Sequence, residues 1–402
     1  MPRPLSRVTE RTAGRGADAW VLHARAKAAK ARGEDVIVLS VGDPDMDTPA
    51  FVVDAAVAAL RAGDTHYTEN LGREPLREAI AARHARLSGE PVTAAHVAVA
   101  SGAQNALYIA AHLLLEPGDH AVLVDPAYVT YPAVFGATGA AVSYAEQPAE
   151  TGFRFDAERI RAAIRPETKV LAFANPNNPT GVTFTADDLA AIAALAEAHD
   201  LWVIADEVYG DLVFERPFVP AASVPALRPR LLSLGSFSKA FAMTGWRCGY
   251  MVAPPHVVEA TGRLAVAMLY GLPGFIQEAA LAALLGHGAV EAEMRAIYRR
   301  RRDLAVAALA DVPRLSAEQP EAGMFMMLDV SATGLDGDRF AAALYEREKV
   351  SVLDGAAFSD LCRNHVRLSF AVHDDELLEG CARIRRFVAG LNAGPGDGNS
   401  PT

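Results

Sequence analysis

Seven short apolar runs, near residues 97–100, 121–124, 141–144, 169–173, 202–205, 231–234 and 249–253, alternate with segments of helical periodicity. Continuous rather than alternating apolar character is what a strand shows when both of its faces are buried. Strands separated by helices predict a mostly parallel sheet with helices on both faces. In such a sheet the functional loops gather beyond the carboxyl ends of the strands, so chemistry is to be sought just after each run. At 402 residues and 51% hydrophobic, the chain can bury that sheet and still supply a second domain.

The chain's other bulk properties narrow the function. Its net charge of −11 argues against nonspecific nucleic-acid binding. The only cysteines, Cys248, Cys362 and Cys381, lack metal-ligand spacing, so neither a disulfide framework nor a metal site is expected, and the cytoplasm is the expected compartment. Residues 1–10 carry no apolar signal core, and the apolar runs elsewhere are broken well short of a membrane span.

Chemistry shows first at Lys239, in Ser236-Phe237-Ser238-Lys239-Ala240-Phe241-Ala242-Met243-Thr244-Gly245-Trp246-Arg247. A lysine in an apolar stretch is costly to keep charged, so its pKa should fall and its amine become a nucleophile toward an aldehyde. Ser236, Ser238 and Arg247 offer donors for a phosphate, the guanidinium in forked geometry. An aldehyde carrying a phosphate implies pyridoxal 5′-phosphate, held by Lys239 as a Schiff base. The run 201–205 ends on Asp206, with Tyr209 three residues later. A carboxylate against the pyridine nitrogen keeps it protonated, and the ring then accepts electrons. Tyr209 can reach the ring's 3′-oxygen. Asn175-Pro176-Asn177-Asn178-Pro179-Thr180-Gly181 follows the strand 169–173 as a rigid loop that can hold an amide in place. Ser101-Gly102-Ala103-Gln104-Asn105 opens a helix with apolar residues at 103, 106, 107, 110, 113 and 114, so the amides of Gly102, Ala103 and Gln104 can cradle the phosphate.

Taken together, Ser236-x-Ser238-Lys239-Ala240, Met243-Thr244-Gly245-Trp246-Arg247, Asp206-x-x-Tyr209 and Asn178-Pro179-Thr180-Gly181 resemble the class I/II aminotransferases of fold type I over roughly residues 5–389. The resemblance implies an α/β fold: a mostly parallel seven-stranded sheet in a large PLP-binding domain, residues 50–290, plus a smaller α+β C-terminal domain. Residues 1–49 and 291–389 would form the small domain, and the Gly-, Pro-, Ser- and Asn-rich residues 390–402 a disordered tail. The run Arg299-Arg300-Arg301-Arg302 is expected on a solvated helix face.

Further roles follow from the same resemblance. Asn178 would donate to the 3′-oxygen and Tyr128 stack on the cofactor ring. Tyr67 would reach the phosphate of a neighbouring subunit, which makes the active unit a homodimer with shared sites. Gly42 falls near the substrate carboxylate, and Arg367, on the alternating strand His365-Val366-Arg367-Leu368-Ser369-Phe370, would bind that carboxylate in bidentate fashion. Substrate amine displaces Lys239, which then moves the α-proton, and a 2-keto acid runs the path backward in ping-pong order.

For the side chain, Gly16-Ala17-Asp18-Ala19-Trp20, Leu39-Ser40-Val41-Gly42-Asp43-Pro44-Asp45, Thr65-His66-Tyr67 and Met268-Leu269-Tyr270-Gly271 look most like arginine:pyruvate transaminases. A guanidino group needs an acidic or aromatic lining, for which Asp18, Glu69 and the partner's Tyr270 are candidates. A relative acting on a cyclic guanidino amino acid such as enduracididine, in an antibiotic pathway, fits the same segments. Alternatives are a broad-range or aromatic aminotransferase, or a β-lyase, decarboxylase or arginine oxidase that shares Lys239, Asp206 and Arg367. A cofactor-sensing regulator would carry a DNA-binding domain ahead of the fold, and about fifty residues without a helix-turn-helix pattern stand there.

Overall fold

The computed structural model describes residues 3–13, 15–286 and 288–391, leaving aside the side chains of 15–19. The expected tail, 390–402, therefore lies almost wholly outside the described residues. Contacts divide the chain into two units. One takes in the described part of Met1–Gly14, Asp43–Ile297 and Glu321–Gly323; the other holds Arg15–Gly42, Tyr298–Pro320 and the described part of Met324–Thr402. Residues 3–13 thus group with the larger unit, and not with the smaller one as expected. The reason is local: Arg11 Nε donates to the carbonyl of Gly136 at 2.9 Å and Arg11 Nη2 to that of Ala137 at 3.3 Å.

In the larger unit the seven apolar runs form β1 (Val97–Ala100), β2 (His120–Asp125), β3 (Ala141–Glu146), β4 (Thr168–Ala174), β5 (Trp202–Asp206), β6 (Leu231–Ser236) and β7 (Gly249–Val252). They make one seven-stranded sheet in the order β1-β7-β6-β5-β4-β2-β3. Neighbours pair in parallel except β7, which runs antiparallel to both β1 and β6. Successive side chains leave opposite faces, so each central strand feeds two cores. Val170, Ala172, Ile204, Leu232 and Leu234 face one core, together with Leu107 and Phe135 from the helices Ala103–Leu114 and Tyr131–Thr138. Leu171, Phe173, Val203 and Ala205 face the other, against Leu189 and Ile192 of the helix Ala186–Ala198. Burying a side chain the size of Leu171 or Phe173 contributes about 1.5–3 kcal/mol. That double burial is why the runs read as uninterrupted. The edge strand β3 is instead largely open to solvent, with Ala145 its one buried residue.

The smaller unit is α+β. Its antiparallel sheet places His365–Ser369 between Leu353–Asp354 and Phe325–Asp329. Ile37–Val38 pairs in parallel with Val350–Ser351, and the helices Gly337–Glu348 and Asp374–Gly390 meet through Phe340 and Phe387, edge to face at 5.2 Å.

The arginine run departs from expectation. Arg299 and Arg300 are exposed, but Arg301 and Arg302 are buried. Arg301 Nε donates to Asp374 at 3.1 Å, and Arg302 Nη1 donates to the carbonyl of Pro320 at 3.1 Å. Consecutive helical positions are about 100° apart, so four in a row cannot share one solvated face. Among the described residues, no helix is long and apolar enough to cross a membrane and no cluster of side chains could hold a metal ion.

Candidate active site

Because β7 is antiparallel, its first residue, Gly249, lies between Ala100 at the end of β1 and Ser236 at the end of β6. The segment carrying Arg247 therefore enters between the two loops that hold Ser101-Gly102 and Ser238-Lys239. Little room separates them: a Cβ on Gly249 would stand 2.6 Å from the amide nitrogen of Ala103, and one on Gly102 would stand 2.4 Å from Arg247 Nη2. Arg247 is anchored by Nη1 to the carbonyl of Thr244 at 2.9 Å and by Nη2 to that of Ser101 at 3.4 Å. Ala242 and Arg247 both hold positive φ, 50° and 55°, a strained conformation for residues with a Cβ and one that proteins retain chiefly at functional loops. The helix Ala103–Leu114 starts without a side-chain cap, Gly102 standing at its N-cap. Its first amides, the guanidinium of Arg247 and the serines at 236 and 238 thus converge on one edge of the sheet. Such a set binds anions.

Asp206 closes β5 on the same edge. Its Oδ2 accepts from the Tyr131 hydroxyl at 2.8 Å and its Oδ1 from the amide of Val208 at 3.3 Å. Burial pushes the Asp206 pKa above the usual carboxylate range, and the phenol and amide donors pull it back. Tyr131 is itself buried, and burial together with the nearby carboxylate raises its pKa well above that of an ordinary phenol. It is therefore a permanent donor. Tyr128 stands edge-on to it, ring centroids 6.2 Å apart. Sequence reasoning missed Tyr131, although a second tyrosine three residues after Tyr128, opening a Tyr-Pro helix, was a usable signal. Tyr131→Phe should cut turnover about tenfold or more. With the phenol gone, only the Val208 amide still opposes burial at Asp206, so the acidic limb of the pH–rate profile should move to higher pH. An unmoved limb would argue that the hydrogen bond is idle.

Tyr209, buried, precedes the short turn Gly210–Leu212. In the loop after β4, Asn175 Oδ1 accepts from the amide of Phe184 at 2.9 Å, and Asn177 donates to the carbonyl of Pro126 at 2.9 Å while accepting from Thr180. These two amides pin the loop that carries the buried Asn178. Lys239 lies three residues beyond β6, half-buried, with Phe237, Ala240, Phe241 and Met243 buried around it.

This donor set fits pyridoxal 5′-phosphate: an anion cradle kept clear by two glycines, a half-buried carboxylate suited to a cation, and a primary amine, all on one sheet edge. Gly102, Ala103, Gln104, Ser236, Ser238 and Arg247 would take the phosphate, and Asp206 the pyridine nitrogen. Elsewhere on the larger unit, Tyr67 and Tyr270 are exposed and near each other, rings 5.3 Å apart, and Glu69 is exposed two residues from Tyr67. In the smaller unit Arg367 is buried on the middle strand, its guanidinium over the rings of Phe325 and Phe358. Gly42 packs on that same Phe325, where a Cβ would come within 2.3 Å of the ring. Asp18 falls in the helix Arg15–Ala31, and its side chain lies outside the described residues.

Comparison with known proteins agrees with this chemistry. Residues 34–384 match the family model described as aminotransferase class I and II. The chain is 46% identical over 383 residues to an arginine–pyruvate transaminase of Pseudomonas aeruginosa, covering 95% of this chain and 98% of the relative. It is 38% identical to an aspartate/prephenate aminotransferase of Cereibacter sphaeroides, covering 92% and 95%. Among solved structures, an aspartate aminotransferase of Thermus thermophilus with maleate superposes with a TM-score of 0.90 at 34% identity, covering 96% of this chain and all of that one. The chain belongs to the class I and II aminotransferases and is a pyridoxal-phosphate-dependent enzyme of fold type I.

Proposed function

We propose that this aminotransferase moves the amino group between an L-amino acid with a guanidino side chain, arginine or a cyclic analogue, and a 2-keto acid such as pyruvate, in ping-pong order. The observation that carries the reading is that Tyr270 and Glu69, two of the candidate lining residues, are both exposed on the larger unit. A ring face and a carboxylate suit a flat, delocalised cation. The similarity to a protein named arginine–pyruvate transaminase supports the same side chain.

When bound, pyridoxal phosphate supplies an electron sink for the substrate carbanion. The chain's residues do the rest. Lys239 takes the proton from the substrate Cα and returns it on the way to the keto acid. Asp206, held by Tyr131, would keep a proton at the pyridine nitrogen, while Tyr209 and Asn178 would donate to the 3′-oxygen and Tyr128 would lie against the ring. Arg367 forks onto the α-carboxylate, with Gly42 near it. Tyr67 and Tyr270, exposed in one copy, would be presented to a second copy, so the working unit is a homodimer with shared sites. The three cysteines are buried and unbridged, which suits a reducing cytoplasm.

The test is a spectrophotometric titration of the holoenzyme with arginine, ornithine, glutamate, phenylalanine and alanine. Arginine should change the cofactor absorbance at least about tenfold faster than phenylalanine or glutamate, the scale expected from one well-placed charged contact, and pyruvate should reverse the change. A faster response to phenylalanine or glutamate would replace the guanidino reading with a broad-range one.

A further inference from the structure

Arg367 is held by a residue that is itself held. Arg367 Nη2 donates to the carbonyl of Ser40 at 3.0 Å, and its guanidinium carbon sits 4.0 Å from the ring centroid of Phe325 and 4.7 Å from that of Phe358. The rings set the plane of the fork, and the carbonyl fixes its rotation within that plane. Ser40 is fully buried. Its hydroxyl lies 2.9 Å from His23 Nδ1 and 3.0 Å from Ser351 Oγ. A hydroxyl has one proton to give, so the pattern closes when Ser351 donates to Ser40 and Ser40 donates to Nδ1, or when both bonds reverse. Backbone bonds tie the same segment down: Leu39 donates to the carbonyl of Ser351 at 2.9 Å, and Ser369 to that of Leu39 at 2.8 Å.

His23 comes from the helix Arg15–Ala31, and its ring meets the edge of Trp20 at 5.5 Å. Burial, and then the charges of Lys27 and Arg367, lower its pKa, so near neutral pH the ring is uncharged and keeps one acceptor nitrogen. Two cations stand near it, and a neutral ring can bond Ser40 without adding a third.

We infer that His23 is a positioning residue for carboxylate recognition: it fixes Ser40, and through the Ser40 carbonyl it sets the aim of the Arg367 guanidinium. The inference rests on the reading of Arg367 as the carboxylate-binding group. A bidentate fork is sensitive to aim, because displacement of a fraction of an ångström turns two good bonds into one.

The experiment uses the holoenzyme and three probes: propionate binding followed by cofactor absorbance, steady-state kinetics with pyruvate, and the absorbance response to butylamine, an amine without a carboxylate. His23→Ala should raise the propionate dissociation constant and the KM for pyruvate about five- to twentyfold, leave kcat within about twofold, and leave the butylamine response unchanged. His23→Asn, whose amide can stand where Nδ1 stands, should recover most of the loss. Unchanged carboxylate binding in His23→Ala, alongside weakened binding in Arg367→Lys, would overturn the role of His23 and leave Arg367's intact. Unchanged binding in Arg367→Lys would remove the carboxylate reading itself, and the inference with it. A butylamine response slowed as much as carboxylate binding, or no recovery in His23→Asn, would mark His23 as a packing residue and overturn the proposal.

Discussion

Replacing Lys239 with alanine should lower turnover by about ten-thousandfold or more, while a weakened but measurable affinity for pyridoxal phosphate remains. Both parts follow from how the site divides its work. On the proposed assignment the phosphate contacts fall to other residues: Arg247, anchored on the carbonyls of Thr244 and Ser101, and the amino end of the helix Ala103–Leu114. These survive the substitution, since Lys239 is neither a cap nor a strand residue. The proton transfer has no substitute. General-base catalysis by a placed side chain contributes about 10²–10⁴-fold, and the covalent anchoring of the cofactor by the same amine is lost together with it. Asp206 and Tyr131 are committed to each other by a 2.8 Å hydrogen bond and do not carry a basic amine. Added small amines should therefore restore part of the rate to Lys239→Ala in a concentration-dependent way. Turnover within about tenfold of the parent would remove Lys239 from the mechanism.

The sheet was legible because its physics is simple. A strand such as Thr168–Ala174, covered on both faces, must be apolar at every position, and such a run is visible in a chain of any order. The direction of a strand leaves no such mark. Gly249–Val252 reads the same whether it pairs parallel or antiparallel, and its antiparallel course emerged only from the register that sets Gly249 against Ala100 and Ser236. The proposed site residues Lys239, Asp206 and Arg247 were suggested by motifs that report a chemical need. Residues that act on those residues were not. Tyr131 and His23 touch Asp206 and Ser40 through contacts made by folding across 75 and 17 positions, and nothing in their local sequence says which neighbour they will meet. The arginine run failed for a related reason: charge suggests solvent, whereas helix geometry sends Arg301 and Arg302 inward to Asp374 and the Pro320 carbonyl.

A second silent element of this kind gives the largest expected effect on stability. Arg83, buried on the helix Glu74–Ser88, donates to Asp211 and to Glu291 at the same time. Burial works against its charge, and the two acids with Tyr250 nearby more than overcome it, so its pKa stands above the ordinary value. Burial raises the pKa of Asp211, and Arg83 is the first influence that lowers it. Arg83→Met would leave the buried Glu291 and the half-buried Asp211 with their shared cation removed, a change that typically costs about 3–5 kcal/mol for a buried pair. At about 2–4 °C per kcal/mol for a unit of this size, the melting temperature should fall by on the order of 10 °C. The sign of the pH dependence follows from the stranded carboxyls. In the variant the Asp211 pKa, already raised by burial, loses the influence of Arg83 and rises further above the unfolded value, so the folded state binds more protons in that window and the deficit shrinks as pH falls through the raised pKa. It is largest at neutral pH and above. Asp211 belongs to the turn Gly210–Leu212, directly after Tyr209, so turnover should fall along with stability. Adding Asp211→Asn and Glu291→Gln to Arg83→Met separates the causes: if the deficit comes from stranded charge, the triple variant regains most of the lost melting temperature, because a buried triad replaced as a whole is close to neutral. A single variant that melts within about 2 °C of the parent would show that the triad is energetically idle and that the turn is held by packing alone.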